Sequence, residues 1–528
     1  MFQRKLRKRM EAQFGAVPDT MYFYGDMDLI RSYYEFRNKN EMDPFLIDDT
    51  TWNDLSMDDV FRRINPRLSS SGEQYLYYEL RCPAIDSETY SRRKQLIDCM
   101  ESHPDLRLSL QMILAKLGKN RHADLSRVFR PAEHGIKWLV IYLLLALLIP
   151  VCVAFAFFNQ ELGVLLCICA ISFNIFVHEH RLRKCQRDFD TVNYTVSMVF
   201  ALQKIRKLKS LELNGHLQDA YQNLDRLQAV IRTGGVSNVS DGGFGDLVST
   251  VFLLDLIVYE FLKTKLGHSH QEVLAVHEAL GKLDAAIATA SYRKSLDHFC
   301  VPELKFCAAH PFLFASGMTH PMLSHAVPND IHAERPILIT GSNASGKSTY
   351  LKTAALCALL SQAICTATAD SYAASAFRIY SSMALSDDLL AGESYYIVET
   401  KSLKRILDAS NGETPLLCTI DEVLRGTNTV ERIAASSKIL EEIAARGALC
   451  LAATHDIELC DLLARQYDLF HFEEQVGDAN MIFDYKIRSG KAVSRNAINL
   501  LKLMGFDDSI VTGAHERANN YTHSGVWV

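Results

Sequence analysis

The sequence lacks the overall basic charge with which many proteins hold nucleic acid. Its net charge is −6 at pH 7, with 56 Lys and Arg against 62 Asp and Glu. Because a negative chain repels phosphate, any contact with nucleic acid has to come from a local basic patch or from an assembly of chains. The composition therefore excludes binding of nucleic acid through global charge.

Cysteine pairs with the spacing of metal ligands are also lacking. The 13 cysteines are scattered and include no C-x-x-C pair, which excludes a zinc site and a disulfide framework and favours the reduced thiols of a cytosolic compartment. The basic residues 1–9 (MFQRKLRKR) precede no apolar segment, so we expect no signal peptide. Internal repeats are absent as well, and 528 residues predict two to four separate domains.

Two long apolar runs are present in the middle of the chain. Trp138–Phe158 has 21 residues without a charge and would form a helix of about 31 Å, which is long enough to cross a bilayer. Leu162–Val177 is shorter and contains Asn174. Because only residues 159–161 separate the runs, we expect an antiparallel helical hairpin across the membrane, with the lipid bilayer as a partner of residues 138–177.

The charges on both sides of this hairpin predict its orientation. Basic residues flank its outer ends, which favours a cytoplasmic position for both ends: Arg121, Arg127, Arg130 and Lys137 before it, and Arg181, Arg183, Lys184 and Arg187 after it. We therefore predict a multi-pass protein of the inner (cytoplasmic) membrane. The alternative is a buried hairpin in a soluble core. A third apolar run, Val248–Leu262, contains Asp255 and Glu260 and is more typical of a core helix than of a span.

The strongest local motif lies in the second half of the chain. An apolar run at 336–340 and a helix-forming run at 350–360 enclose a loop with the spacing G-x-x-x-x-G-K-[ST]. Such a loop points successive N–H groups and a helix N-terminus at one phosphate. We predict that it binds ATP with Mg²⁺ through Gly341, Ser342, Asn343, Ala344, Ser345, Gly346, Lys347, Ser348 and Thr349.

Two further apolar runs end in residues suited to phosphate chemistry. Leu416–Ile420 ends in Asp421-Glu422, about 75 residues after the loop. One carboxylate there can hold Mg²⁺ and the next can deprotonate the attacking water. We assign Ser348 and Asp421 to the metal and Glu422 to the general base. The run 448–453 ends before His455, which could contact the γ-phosphate, although a structural histidine is the alternative. Lys347 completes the predicted catalytic set.

Together these motifs resemble the ATPase domain of the MutS family of mismatch-repair proteins. Residues 340–350 (TGSNASGKSTY) resemble the family's T-G-P-N-M-G-G-K-S-T-Y, and residues 421–429 (DEVLRGTNT) resemble D-E-I-G-R-G-T-S-T. Residues 453–456 resemble A-T-H-x. The resemblance covers roughly residues 300–520, and Ser342, Ala344 and Ser345 depart from the family's loop without changing the glycine spacing or Lys347.

The resemblance implies further residues and partners. Residues 327–331 resemble the segment that seats the adenine, so Ile331 is implied to contact the nucleotide. Ser394 falls where the family's signature serine reaches the γ-phosphate of a second chain, which implies a homodimer. Residues 494–506 resemble the C-terminal helix-turn-helix that helps to dimerise these ATPases. DNA is implied as a partner by the family alone, since no base-reading residues can be assigned here.

Upstream, the resemblance predicts a mainly α-helical lever and core region, interrupted by the hairpin and followed by an α/β P-loop ATPase domain of the ABC/MutS type. The similarity to the levers begins near residue 20, so we expect the mismatch-recognition domain to be absent. The predicted divisions are a basic arm at 1–20, levers at 21–136 and 179–300, the hairpin at 137–178, the ATPase at 301–490 and a dimerisation segment at 491–528.

These features predict a membrane-anchored, dimeric, MutS-related ATPase that moves its levers and acts on DNA in the manner of mismatch repair. The alternative is an ATP-driven mechanical or scaffold protein that acts on an unknown membrane protein partner without recognising DNA. A third hypothesis is a conventional mismatch-recognition protein in which the hairpin is buried. A transporter-type ATPase ranks last, because one hairpin per chain is too little to build a translocation path.

Overall fold

The structure is a computed structural model with two compact units that interleave along the chain. The helical unit comprises Met1–Pro44, Ile64–Glu79 and Lys94–Ser295, and the sheet unit comprises Phe45–Arg63, Leu80–Arg93 and Leu296–Val528. The structure describes residues 2–19, 21–23, 25–121, 123–127, 136–233, 244–308, 310–342, 345–383, 395–412, 414–424, 427–476, 481–492, 498, 501 and 505–524.

The first 295 residues are helical wherever they have regular structure among the described residues, as predicted. The helices are α1 (Phe2–Gln13), α2 (Asp26–Lys39), α3 (Asp49–Asp54), α4 (Met57–Ile64), α5 (Ser70–Arg81), α6 (Ser87–Ser102), α7 (Pro104–Leu117), α8 (Ile136–Ala156), α9 (Gln160–Arg206), α10 (Leu211–Thr233), α11 (Phe244–Phe252), α12 (Leu254–His268) and α13 (His270–Lys294).

Helices α5 and α13 cross closely because two glycines remove side chains from the contact. A Cβ on Gly281 would lie 2.4 Å from Cβ of Tyr75, and a Cβ on Gly72 would lie 1.9 Å from Oδ2 of Asp284. The space at Gly72 is taken by the Asp284 carboxyl, which accepts a hydrogen bond of 2.6 Å from Ser69. Glycine is therefore required at both positions for the two helices to approach this closely.

The buried Asp284 carboxyl predicts a stability that depends on pH. Burial raises its pKa from 3.8 to about 7, so the folded protein holds a proton there between pH 4 and 7 that the unfolded chain releases. The free energy of unfolding should therefore fall as pH rises through this window. Asp284→Asn should remove this decrease in the free energy of unfolding. The pKa difference sets the decrease at no more than about 4 kcal/mol.

The measurement for Asp284 is the Tm of both proteins from pH 5 to pH 8. The Tm of Asp284→Asn should rise relative to the Tm of the wild type as pH rises. Asp105→Asn, at an exposed carboxyl on α7, is the matched control and should track the wild type. A constant difference between Asp284→Asn and the wild type across this range would contradict the assignment.

Helices α8 and α9 form the predicted hairpin. Asn159 caps α9 by accepting a hydrogen bond from the N–H of Leu162, and Gly163 passes so close to Ala156 that a Cβ there would lie 2.3 Å from its Cα. Both helices are long and apolar enough to cross a bilayer by length and composition, and only 17% and 22% of their apolar windows are buried. Helix α9 then continues past the apolar stretch as far as Arg206.

The sheet unit has the alternation of strands and helices that the sequence predicts from about residue 300. Its elements are β1 (Glu303–Lys305), β2 (Leu313–Met318), β3 (Asn329–Ala333), β4 (Ile337–Thr340), α14 (Lys347–Ile364), β5 (Ser371–Ser375), β6 (Arg378–Ser382), α15 (Tyr395–Ala409), β7 (Leu416–Asp421), α16 (Thr429–Ala445), β8 (Leu449–Thr454), α17 (Glu458–Leu463), β9 (Asp468–Val476), β10 (Met481–Ser489) and α18 (Asp508–Ser524).

The strands form two sheets, of which the larger positions the site. Its order is β10-β9-β4-β8-β7-β6, with β10 antiparallel to β9 and the other neighbours parallel. The smaller sheet has the order β1-β5-β2-β3. In the larger sheet, Thr340 pairs with Thr454 and Asp421 pairs with Ala453, so β4, β8 and β7 end side by side. The loops that follow these three strands therefore meet at one edge.

Candidate functional site

The glycine loop between β4 and α14 depends on two glycines for its path. Gly341 has φ 148° and Gly346 has φ 109°, both in the region that favours glycine. A Cβ on Gly341 would lie 2.9 Å from the carbonyl oxygen of Phe472, which leaves no room for a side chain. Asn343 and Ala344 lie outside the described residues. The loop thus ends at Gly346 and leads directly into the first turn of α14.

The side chain of Lys347 folds back onto the start of this loop. Its side chain is 5% exposed, and its ammonium donates hydrogen bonds of 2.8 Å to the carbonyl oxygens of both Gly341 and Ser342. A buried ammonium needs such partners, and phosphate oxygens are stronger ones than loop carbonyls. The lysine is therefore held where an incoming phosphate could exchange with the two carbonyls.

Ser348 and Asp421 meet beside the lysine. The Ser348 hydroxyl donates a hydrogen bond of 2.5 Å to Oδ2 of Asp421, the last residue of β7. Hydroxyl and carboxylate oxygens suit the preference of Mg²⁺ for oxygen ligands. Within the described residues, no group of three His, Cys, Asp or Glu side chains could hold a metal alone. A magnesium ion here would therefore need phosphate oxygens and water to complete its coordination.

Glu422 and His455 form a direct pair that the sequence did not reveal. Oε1 of Glu422 lies 2.8 Å from Nε2 of His455, which follows β8. The backbone of Glu422 has φ 59°, an unfavourable value for a non-glycine residue, and its N–H donates to the carbonyl of Ala453 on the neighbouring strand. The strand pairing thus holds Glu422 in a strained position, and its carboxylate borders the cavity described below.

A second ion pair supports the turn that carries His455. Arg432, in the first turn of α16, donates two hydrogen bonds to the Asp456 carboxylate at 2.9 and 2.6 Å. These bonds raise the pKa of the Arg432 guanidinium. The N–H of Asp456 also donates to Oγ1 of Thr454. The pair therefore links α16 to the turn that carries His455. No local sequence pattern indicated that Arg432 would contact Asp456.

Lys347, Ser348 and Glu422 border a cavity of about 420 Å³, which is also lined by the glycine loop and by aromatic and small residues. Tyr485 of β10, with φ 54°, lines the cavity as well. Asn329 ties it in place, donating to the carbonyls of Val327 and Tyr485 and accepting from the N–H of Ile487. The cavity is thus lined both by polar groups of the glycine loop and by the aromatic ring of Tyr485, which lies next to Gly346.

The remaining predicted residues lie elsewhere. Ile331 is buried in β3, pairs with Ala315 and is not among the residues that line the cavity, whereas its neighbours Val327 and Asn329 are. Ser345 and Thr349 are at the cavity. Ser394 lies outside the described residues, as does most of the segment 494–506.

Comparison with known proteins gives a consistent set of relatives. The family described as MutS domain V matches residues 337–522. The DNA mismatch repair protein MutS of Natronomonas pharaonis is 31% identical over 271 residues, which cover 49% of this chain and 31% of that protein. MutS of Thermotoga maritima is 32% identical over 260 residues, covering 47% of this chain and 32% of that protein. Each match thus spans about a third of the relative's length.

Proposed function

Because the chain belongs to the MutS family, we propose that it is an ATPase whose catalytic groups are those gathered at the ends of β4, β7 and β8. One observation carries the proposal. Lys347, Ser348 and Glu422 line one cavity of about 420 Å³, and Asp421 and His455 are bonded to Ser348 and Glu422 from the ends of β7 and β8. A lysine for the phosphates, oxygen ligands for Mg²⁺ and a carboxylate base are the groups that hydrolysis of a nucleoside triphosphate requires.

Each residue has a defined task in this proposal. Lys347 exchanges its two carbonyl partners for β- and γ-phosphate oxygens of ATP. Ser348 and Asp421 would hold Mg²⁺, which when bound neutralises phosphate charge. Glu422 orients the attacking water and accepts its proton, while His455 fixes the Glu422 carboxylate at 2.8 Å.

The part of the cavity beside Tyr485 suits a nucleobase. Tyr485 presents an aromatic ring that is 44% exposed, and its backbone is tied to Asn329. An exposed ring held by its backbone offers a stacking surface for a base. Asn329 and Val327 therefore take the place beside the adenine that the sequence had assigned to Ile331.

Replacement of the lysine tests nucleotide binding. Lys347→Ala should weaken MgATP binding by about 100-fold, because two charge-assisted hydrogen bonds to phosphate are lost. Titration with a fluorescent ATP analogue measures this, with Lys352→Ala on the same helix as the matched control. Equal affinities of the Lys347 variant and the wild type would contradict the assignment of the cavity.

The Arg432–Asp456 pair predicts an effect on turnover without an effect on binding. Arg432→Met should lower kcat by roughly 10- to 100-fold through misplacement of the histidine turn and should leave KM for ATP unchanged. The double variant Arg432→Asp/Asp456→Arg restores the charge pair and should recover part of kcat. If the reversed pair is no better than Arg432→Met alone, the pair has no positioning role.

The membrane anchor belongs to the same proposal. Large apolar side chains along α8 and α9 are exposed, and Lys137, Arg181, Arg183, Lys184 and Arg187 lie at the ends of the hairpin that join the rest of the chain. This distribution supports a span of the inner membrane with the ATPase in the cytoplasm. We extend the proposal to a homodimer, in which Ser394 of a second chain completes the site, because the resemblance at Ser394 implies it.

Two kinds of target, DNA and a membrane protein, are candidates for the movement of the helical levers. The family favours DNA, since the relatives named above are DNA mismatch repair proteins. The anchor favours a membrane protein partner. Binding of homoduplex and mismatched DNA across a salt series separates them: a salt-dependent preference for the mismatch supports the first, and no binding at low salt supports the second.

A further inference from the structure

Helices α11 and α12 pack against the hairpin. Leu253, with φ 55°, separates them, so the apolar run 248–262 is not one continuous helix. Val251 and Phe252 of α11 pack against the buried side chains of Ile149 and Cys152 on α8 and of Ala170 on α9. Leu253 and Leu256 instead pack with Tyr142, near the start of α8. The residues before Leu253 and those from Leu253 onward therefore contact the hairpin at different positions along its length.

Asn174 joins three helices at the height of α11. Its side chain is fully buried, and its amide donates hydrogen bonds to the carbonyl oxygens of Leu145 on α8 at 3.2 Å and of Val251 on α11 at 2.9 Å. A polar side chain inside an apolar stretch is costly unless it finds such partners. Asn174 thus ties α11 to the hairpin rather than interrupting the second span.

A polar belt marks the end of the hairpin that joins the rest of the chain. Arg181 lies 3.9 Å from the centre of the Trp138 ring, donates a hydrogen bond of 2.6 Å to the Tyr142 hydroxyl and pairs with Glu260 at 3.7 Å. Beside it, His178 and Asp255 are 2.7 Å apart. Trp, Tyr, Arg and paired carboxylates at one level are typical of the interface between lipid and water.

Helix α11 lies on the far side of this belt. Leu145 is seven residues beyond Trp138, about 10 Å further along α8, and Ile149 and Cys152 are about 16 and 21 Å along it. Val251 contacts both levels, through Asn174 at the first and through the apolar cluster at the second. Asp255 and Glu260, by contrast, are in the belt. If α8 spans the bilayer, Val251 and Phe252 are therefore at the depth of the hydrocarbon.

We propose that α11 is a third segment embedded in the bilayer, packed on the hairpin and covered on its outer side by lipid acyl chains. The inference rests on the membrane anchor of the proposed function. Leu247 of α11 is 64% exposed, and α11 lies against α8 and α9, whose large apolar side chains are exposed as well. Hydrocarbon is the occupant that covers the hairpin, so it covers the adjoining face as well. The bilayer is then connected to α13 through α12 as well as through α9.

Quenching of tryptophan by acyl-brominated phosphatidylcholine tests this. The full chain is reconstituted in vesicles with Trp138→Phe and Trp527→Phe, so that Trp52, which is buried, is the remaining background. Leu247→Trp reports on α11, Leu144→Trp on the hairpin, and Leu211→Trp, at an 82% exposed position of α10, on the region outside the bilayer. Leu247→Trp should lose the same fraction of its emission as Leu144→Trp, and Leu211→Trp should lose none.

The outcomes separate the inference from the anchor. Quenching at Leu144→Trp without quenching at Leu247→Trp would overturn the embedding of α11 and leave the hairpin in place. Quenching at neither position would overturn both. If Leu247→Trp does not fold, Val248→Trp in the same helix replaces it. Adding Asn174→Leu should then reduce quenching in α11 and spare Leu144→Trp, because the tie to Val251 is lost.

Discussion

Glu422→Gln is expected to lower kcat for ATP hydrolysis by about 10³-fold, because the amide cannot accept a proton from the attacking water. ATP binding should persist, since Lys347, Ser348 and Asp421 are unchanged. The amide has nearly the size of the carboxylate and can still hydrogen-bond to His455, so the strained turn should keep its place. Phosphate release in single-turnover and steady-state assays, together with ATP titration, measures the two quantities separately.

Glu431→Gln is the matched control for this variant. It removes an exposed carboxylate from the first turn of α16, outside the residues that line the cavity, and should retain the wild-type rate. Wild-type turnover in Glu422→Gln would remove Glu422 as the general base. A loss of ATP binding in parallel with turnover would instead mean that Glu422 contributes to the shape of the cavity.

The second large effect is expected from charges on the hairpin. Leu144 and Leu147 are 63% and 58% exposed on α8. Each arginine at the centre of a membrane helix costs about 2.5–3.5 kcal/mol, so Leu144→Arg/Leu147→Arg should disfavour insertion by about 5–7 kcal/mol. The variant should leave the membrane pellet on alkaline extraction, whereas the wild type should stay in it.

The control places the same two substitutions on exposed leucines outside the hairpin. Leu211→Arg/Leu462→Arg alters α10 and α17 at positions that are 82% and 56% exposed, and the protein should remain in the pellet. Complete extraction of the wild type itself would contradict the anchor. Retention of the hairpin variant in the pellet, with the native fold shown by unchanged nucleotide binding, would mean that other surfaces attach the chain.

Much of the candidate site follows from sequence because its chemistry sits at strand ends. Gly346 and Lys347 were predicted from loop spacing, and Asp421, Glu422 and His455 from their position after apolar runs. Parallel pairing of β4, β8 and β7 then brings them together. The adenine site was less well predicted, because Tyr485 belongs to an antiparallel strand about 140 residues after the loop and is tied to the cavity by a hydrogen bond from Asn329.

Long-range contacts account for what sequence reasoning missed. Arg432 reaches Asp456 because the start of α16 packs beside the end of β8, which no local pattern encodes. Residues 45–63 and 80–93 belong to the sheet unit for a similar reason: the buried Asp54 carboxylate accepts hydrogen bonds from Ser381 and from the N–H of Met383, more than 300 residues away.

The sequence by itself determined the apolar hairpin, the glycine loop and the order of strands and helices, because hydrophobic period, glycine spacing and chain charge act over short distances. Only the tertiary structure decided which side chains meet: Glu422 with His455, Arg432 with Asp456, and Asn174 with Val251 of α11. The physical reason is that these contacts join elements distant in the chain, and their geometry depends on how strands pair and helices pack.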